Sequence, residues 1–259
     1  MVLAHDVTGS GPPVVLLHPL VADRRIWDPQ WRTWADRYSL LRCDLPGFGD
    51  SPYETGAGGL ARPVVDLVDT IGFGPARYVA CSGGGRVALE IAVARPDLVE
   101  ALVLVGSGLP GHDWSQTVRS YGEAEEELVA AGDLDGAAEL NVRMWVDGPG
   151  RSSGEVDPAV RDAVFRMQRH ALAVHAPHWD DEPPPLLVED VRERVREIAV
   201  PTLVLVGEDD VEDMHVNAAY LAATIPGARH ATLAGTAHVP NLERPADFDR
   251  VVLAFLDSL

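Results

Sequence analysis

The stretch Tyr78-Val-Ala-Cys-Ser82-Gly-Gly-Gly-Arg86 runs an apolar segment into a serine flanked by small residues and then straight into a helical pattern. A serine at the tip of a sharp strand-to-helix turn is a nucleophile elbow. The turn exposes the hydroxyl, and its strained backbone accepts only small side chains two positions before and two after. Ala80 and Gly84 hold those positions. Ala80 departs from the usual G-x-S-x-G pattern by one methyl group, a change the geometry tolerates. The helix that follows points its N-terminus at the serine, so the Gly83 amide can donate to an oxyanion. A Gly-rich turn of this kind could also cradle a phosphate, but both the G-x-G-x-x-G spacing and the acidic residue after the next strand are lacking.

A serine hydroxyl needs a base to take its proton, and the base needs a carboxylate to fix its tautomer and balance its charge. After an elbow of this type the chain order is serine, carboxylate, histidine. Both partners follow in that order. After the apolar run Thr202-Leu-Val-Leu-Val206 comes Gly207-Glu-Asp-Asp210, and after the run ending at Leu233 comes Ala234-Gly-Thr-Ala-His238. His238 would take the proton from Ser82 Oγ and deliver it to the leaving group. On residue type alone Asp209, Asp210 and Asp213 all remain candidates for the acid.

Residues so far apart can meet only if the fold gathers them. Short β-rich runs recur at Val14-Val-Leu-Leu-His18, Leu40-Leu-Arg-Cys-Asp44, Arg77-Tyr-Val-Ala-Cys81, Leu102-Val-Leu-Val105, Thr202–Val206 and His230-Ala-Thr-Leu233. Near-continuous apolar composition marks strands covered on both faces, as in a parallel sheet with helices front and back. Helical patterns over 86–95, 214–225 and 245–259 complete an α/β alternation. All loops at the carboxyl ends of parallel strands lie on one sheet edge, which brings the two later loops over Ser82. The alternation stops between 110 and 195, where helical patterns over 121–131, 134–145 and 159–174 follow one another. Asp147-Gly-Pro-Gly150 and Glu182-Pro-Pro-Pro185 mark joints between them. The expected organisation is a core of residues 1–109 and 196–259 with a helical cap of residues 110–195.

With 259 residues, 46% hydrophobic and 24% charged, the chain reads as one soluble globular protein. No apolar stretch is long enough to span a bilayer, and residues 1–13 lack the basic start and apolar middle of a secretory signal, so a cytoplasmic protein is expected. Cys43 and Cys81 fit neither a disulfide framework nor a metal site and are expected to be reduced. A net charge of −19 repels phosphate backbones, which argues against nucleic acid as a partner. Every one of the 21 basic residues is arginine, which removes lysine nucleophiles, Schiff bases and the P-loop lysine.

Over essentially its whole length the sequence resembles the α/β-hydrolase superfamily. The match is an ordered series: Val14-Val-Leu-Leu-His18, Trp27-Asp-Pro-Gln30, Asp44-Leu-Pro-Gly-Phe-Gly-Asp-Ser51, the Ser82 elbow, Pro201-Thr-Leu-Val-Leu-Val-Gly207 and Ala237-His238-Val-Pro-Asn-Leu-Glu-Arg-Pro245. Through Arg25-Ile-Trp-Asp-Pro-Gln30 and Pro240-Asn-Leu-Glu-Arg-Pro245 it is similar to the compact bacterial group that includes 3-oxoadipate enol-lactonases and related esterases. The resemblance implies a mostly parallel central sheet with helices on both faces, a helical cap inserted after the sixth strand, and no cofactor. It selects Asp210, three residues after Gly207, over Asp209, with Asp213 in reserve. Family members commonly take a second oxyanion donor from the amide after a His-Gly pair at the end of the first strand. Here the pair is His18-Pro19; proline has no amide hydrogen, so Leu20 is the expected donor. His18 precedes Ser82, the wrong order for the base, and is read as a brace for this loop.

His170, His175 and His178 lie near Asp180, Asp181 and Glu182, but their spacing does not suit ligands on one helix face, and no metal is expected. Trp114, Met144, Trp145 and Met167, with Trp179, are candidates for the wall of an apolar substrate pocket. The leading expectation is hydrolysis of a small, uncharged or anionic carboxylic ester or lactone through an acyl-enzyme. Epoxide hydrolases and haloalkane dehalogenases of this fold use aspartate at the elbow, which Ser82 argues against. A carbon-carbon bond hydrolase or a cofactor-free perhydrolase would keep the same three residues, and a ligand receptor on a hydrolase scaffold is the alternative of a different class.

Overall fold

Residues 2–53, 58–182 and 185–259 are described by a computed structural model of the chain. The joint expected at Glu182-Pro-Pro-Pro185 falls partly outside them, at 183 and 184. Among the described residues seven strands form one sheet: β1 His5–Thr8, β2 Pro13–Leu17, β3 Ser39–Cys43, β4 Ala76–Cys81, β5 Val99–Val105, β6 Thr202–Gly207 and β7 Arg229–Leu233. Their spatial order is β1-β3-β2-β4-β5-β6-β7. Only β1 runs antiparallel to its neighbour; every other pairing is parallel. Val14 to Leu17, Tyr78 to Cys81 and Leu102 to Val105 are wholly buried, as near-continuous apolar runs between two helical layers must be.

The helices are α1 Asp28–Trp34, α2 Ala61–Ile71, α3 Gly83–Ala94, α4 Gln116–Ala130, α5 Leu134–Asn141, α6 Pro158–His175, α7 Val191–Arg194, α8 Glu212–Thr224, α9 Pro240–Glu243 and α10 Pro245–Leu256. Helices α4 to α7 all lie between β5 and β6, and no strand interrupts them among the described residues. The insertion therefore follows the fifth strand and not a sixth. The count implied by the resemblance assumed more strand ahead of it than the described residues supply. Residues 2–12 form β1 alone before turning at Gly9 and Gly11, both at positive φ, into β2.

The insertion's helices start where side chains satisfy free backbone amides. Ser115 accepts from the Val118 amide at the start of α4, Asp133 from Gly136 at α5, and Asp157 from Ala159 at α6, where Pro158 takes the first position. The single helix expected over 134–145 is α5 continuing into a π-helical turn, Val142–Asp147. Below the sheet Trp27 and Trp34 are fully buried, and Trp34 stacks on Phe248 of α10 with ring centroids 6.3 Å apart. The two motifs shared with the enol-lactonase group meet here. Gln30 donates to the Asn241 carbonyl (3.1 Å) and Asn241 to the Ile26 carbonyl (3.0 Å). These contacts brace the segment just after His238. No helix among the described residues is long and apolar enough to cross a membrane.

Candidate active site

Strand β4 ends at Cys81 and α3 begins at Gly83, so Ser82 alone makes the turn, with φ 52° and ψ −116°. A non-glycine residue held there costs about 1–3 kcal/mol and persists only where surrounding bonds determine it. The Ser82 amide donates to the Val105 carbonyl (2.9 Å), and the Ser82 carbonyl accepts from Arg86 (3.0 Å) and Gly108 (2.9 Å). Gly84 shows why small residues flank the elbow. A Cβ there would sit 2.6 Å from the carbonyl oxygens of Leu17 and His18.

That close approach brings the end of β2 against the start of α3. A Cβ on Gly83 would lie 2.3 Å from Leu20 Cγ, so the two expected oxyanion donors are neighbours. Neither amide donates to a protein acceptor among the described residues. His18 braces this loop. Its Nδ1 donates to the Pro19 carbonyl (2.8 Å), and its Nε2 accepts from the Leu45 amide (2.9 Å). Complete burial lowers its pKa, which favours the neutral ring that accepts at Nε2.

On the same sheet edge, His238 Nδ1 lies 2.9 Å from Asp210 Oδ2 and 3.1 Å from Oδ1, with both side chains buried. The loops carrying them pack so tightly that a Cβ on Gly207 would fall 2.0 Å from the Ala237 carbonyl oxygen. Gly106, which follows the carbonyl that holds Ser82, abuts both partners; a Cβ there would approach Asp210 Oδ2 to 2.9 Å and His238 Nδ1 to 3.1 Å. No hydrogen bond joins Ser82 Oγ to His238 among the described residues. The neighbouring acids are engaged elsewhere. Asp209 faces Arg151 at 3.7 Å. Asp213 accepts from His112 Nε2 (2.8 Å) and from the Ser115 hydroxyl (2.6 Å), tying α8 to the start of α4.

Sequence reasoning missed the residues that hold the His238 loop. The Ala237 amide donates to Glu243 Oε1 (2.8 Å), and Glu243 Oε2 pairs with Arg151 at 2.8 Å. Burial raises the Glu243 pKa despite these partners. Arg151 also donates to the Asp147 carbonyl (2.7 Å). The π-helical turn reaches the same loop: the His238 amide donates to the Trp145 carbonyl (3.2 Å), and the two rings lie 4.6 Å apart. Only the Glu243 spacing from His238 was readable, and nothing local in Arg151 announces a partner so distant in sequence.

Ser82, Leu20 and Gly83 open onto a cavity of about 610 Å³ whose opposite wall is the helical insertion. Of the pocket candidates, Trp114, Trp145 and Trp179 line it. Met144 and Met167 do not. The cavity face of α6 carries Gln168, Ala171, Leu172 and His175, a stripe at helical spacing. Met167 lies one position off that stripe and is buried in the main core, and Met144 packs against the same core. The three insertion histidines do not converge. His170 bonds the Gly49 carbonyl (2.9 Å), His175 the Gly47 carbonyl (3.1 Å), and His178 pairs with Asp181 (3.1 Å). His170 and His175 fasten α6 to the Asp44–Ser51 loop, and no metal-holding group of His, Cys, Asp or Glu occurs among the described residues. Cys43 and Cys81 are free and buried; burial pushes the Cys43 thiol up to about 12.

Residues 14–251 match the model of a family described as the alpha/beta hydrolase family. The chain belongs to that family. This alpha/beta hydrolase is 29% identical over 262 aligned positions to a pimeloyl-[acyl-carrier protein] methyl ester esterase of Nitrosospira multiformis, with 95% of each chain covered. It is 26% identical to a putative carbamate hydrolase RutD of Azorhizobium caulinodans, covering 99% of this chain and 96% of that one. Among solved structures, the enol-lactonase from Burkholderia xenovorans LB400 superimposes with a TM-score of 0.79 at 24% identity, over 98% of this chain and 96% of that one, which is a likeness of fold. The alpha/beta hydrolase described here is an enzyme of the hydrolase class.

Proposed function

We propose that the protein hydrolyses a small carboxylic ester or lactone through an acyl-enzyme formed on Ser82. The observation that carries this reading is the buried His238–Asp210 pair, 2.9 Å apart, on the sheet edge where the Ser82 elbow faces the cavity. His238 Nε2 takes the proton of Ser82 Oγ as Oγ adds to the carbonyl carbon. Asp210 holds the Nδ1 proton and balances the imidazolium. The Leu20 and Gly83 amides, free of acceptors among the described residues, stabilise the oxyanion, a contribution of about 10²–10³ in rate for each donor in comparable sites. The carbon–oxygen bond to the alcohol then breaks and His238 delivers its proton to that oxygen. Water, deprotonated by His238, adds to the acyl-enzyme, and collapse frees the acid and returns the proton to Ser82. With a lactone the alcohol stays attached to the released acid.

The relatives support attack at a carbonyl: one is named for a methyl ester and another for a carbamate. Residues 110–195 act as the cap of this site, since their helices supply the wall opposite Ser82. A panel of aryl esters, alkyl esters and lactones run on wild type and Ser82→Ala tests the reading. Wild-type turnover of at least one class, abolished in Ser82→Ala, is the expected result. Full activity in Ser82→Ala overturns it.

A further inference from the structure

Among the described residues six carboxylates are buried in the fold: Asp23, Asp44, Glu90, Asp147, Asp210 and Asp213. Each has a cationic or imidazole partner, respectively Arg25, Arg24, Arg86, Arg161, His238 and His112. Glu125, on α4 in the cavity wall, is different. It is partly buried, and it makes no ion pair with any described residue. Its Oε1 accepts from the Asn141 side-chain amide, and Asn141 is itself fixed by the Tyr121 hydroxyl (2.6 Å) and by Gln168 (3.1 Å). Burial raises the Glu125 pKa.

The same end of the cavity has spare acceptors, beside one Gln168 amide hydrogen beyond the one it gives to Asn141. Gln168, 6% exposed, keeps its Oε1 without a hydrogen-bond partner. Besides Asn141, the protein donor near the Glu125 carboxyl among the described residues is the neutral Tyr121 hydroxyl, which brings no charge. Asn141 spends its amide hydrogens on Glu125 and the Ala137 carbonyl, and Tyr121 spends its hydroxyl hydrogen on Asn141. Tyr121, Trp145 and Trp179 add aromatic faces to the same wall, surfaces that favour a cation over an anion. Arg86, the cation in the cavity, is held by Glu90 at 3.2 Å. A buried carboxylate is costly unless paired, so what would complete this wall is a cationic donor brought by the ligand.

We propose that the cavity selects esters or lactones carrying a primary ammonium group remote from the scissile carbonyl, with Glu125 as its counter-charge and Asn141 and Gln168 as positioning residues. This goes beyond the uncharged or anionic substrate expected from the sequence, and it rests on the reading of Ser82 as the nucleophile. The test compares aryl esters of heptanoic, 6-hydroxyhexanoic and 6-aminohexanoic acid. Wild type should favour the amino ester over heptanoate by about tenfold or more in kcat/KM, the scale of one charge-assisted hydrogen bond. Glu125→Gln should bring that ratio to about one or below, and Glu125→Asp, which keeps the charge, should restore part of it. Binding of n-hexylammonium against n-hexanol, measured by calorimetry on Ser82→Ala, separates this inference from the catalytic reading because it needs no turnover. Tighter ammonium binding that disappears in Ser82→Ala/Glu125→Gln supports the site even if no ester is cleaved. Ester turnover with no amino preference and no ammonium binding overturns the inference and leaves Ser82 standing. A preference for the hydroxy ester or heptanoate, or an equal loss on all three esters in both Glu125 variants, also overturns it.

Discussion

The floor and the roof of the cavity are built by different rules. On the floor, the ends of β2, β4, β5 and β6 bring Leu20, Ser82, Gly106 and Asp210 together through close packing around backbone hydrogen bonds, and most residues beneath them are wholly buried. On the roof, α4 to α6 meet through side chains: Tyr121, Asn141 and Gln168 bond one another across three helices, and one acceptor is left over. A methyl group added at Gly84 or Gly207 meets another backbone, and one added at Gly106 meets the Asp210 and His238 side chains. A roof side chain can be exchanged at the cost of a few hydrogen bonds. The contrast implies that the floor sets the chemistry and the roof sets which molecule receives it.

If the floor works as one unit, the largest losses should come from its charged pair. Asp210→Asn should lower kcat by about 10⁴ with little change in KM, because the amide cannot hold the productive tautomer. Asp209→Asn and Asp213→Asn should fall far less, since neither carboxylate contacts His238. A crippled Asp213→Asn beside a healthy Asp210→Asn would move the acid to the other pair. Next in size, Leu20→Pro removes one of the two free amides and should cost about 10²–10³ in kcat. An undiminished kcat would show that the loop after β2 does not contact the oxyanion.

Roof substitutions should change selectivity by smaller factors. Trp114→Ala should alter the ratio of kcat/KM between long and short acyl esters by about tenfold, the value of a methylene or two in an apolar pocket. Met167→Leu should leave that ratio alone, because Met167 lies behind the cavity wall. Equal effects from both would mean that packing of α6, not contact with substrate, controls preference.

The smallest effect is on stability. Burial lowers the pKa of His18 and of His175 below the ordinary imidazole value of 6.5, so the unfolded chain binds more protons in acid than the folded one. Their contribution is complete above pH 6.5 and is lost as pH falls through the folded-state values. Protonating His18 at Nε2 would also break its bond from the Leu45 amide. Urea midpoints should therefore drop below that pH in wild type and drop less in His18→Asn, which starts from a lower midpoint. Parallel slopes would remove His18 as the cause.

The floor was the legible half. An elbow, an acid three residues past a glycine and a histidine after the last strand are local patterns, and the parallel sheet makes them converge whatever lies between. Pro19 without an amide hydrogen directed attention to Leu20, which does lie against Gly83. Strand β1 was missed because His-Asp-Val-Thr is a polar, half-exposed edge with no apolar run to mark it. The roof was harder to read. Its helices were visible by period, but the face each presents depends on packing. Met167 and Gln168 are adjacent in sequence, yet the methionine turns to the core and the glutamine to the cavity. Likewise, Arg151 and Glu243 clamp the His238 loop across a sequence separation that leaves no local trace.

The cavity region holds a second set of serine, histidine and aspartate, which makes the central claim open to direct test. Ser115, His112 and Asp213 lie together, but the Ser115 hydroxyl donates to the carboxylate and not to the ring, the wrong order for activating a nucleophile. Ser82 sits instead at the strained tip of its elbow. Fluorophosphonate labelling of the whole chain followed by peptide mapping distinguishes the two. The account predicts an adduct on Ser82 in wild type and no adduct on any residue in Ser82→Ala. An adduct on Ser115, or labelling that persists undiminished in Ser82→Ala, would contradict it.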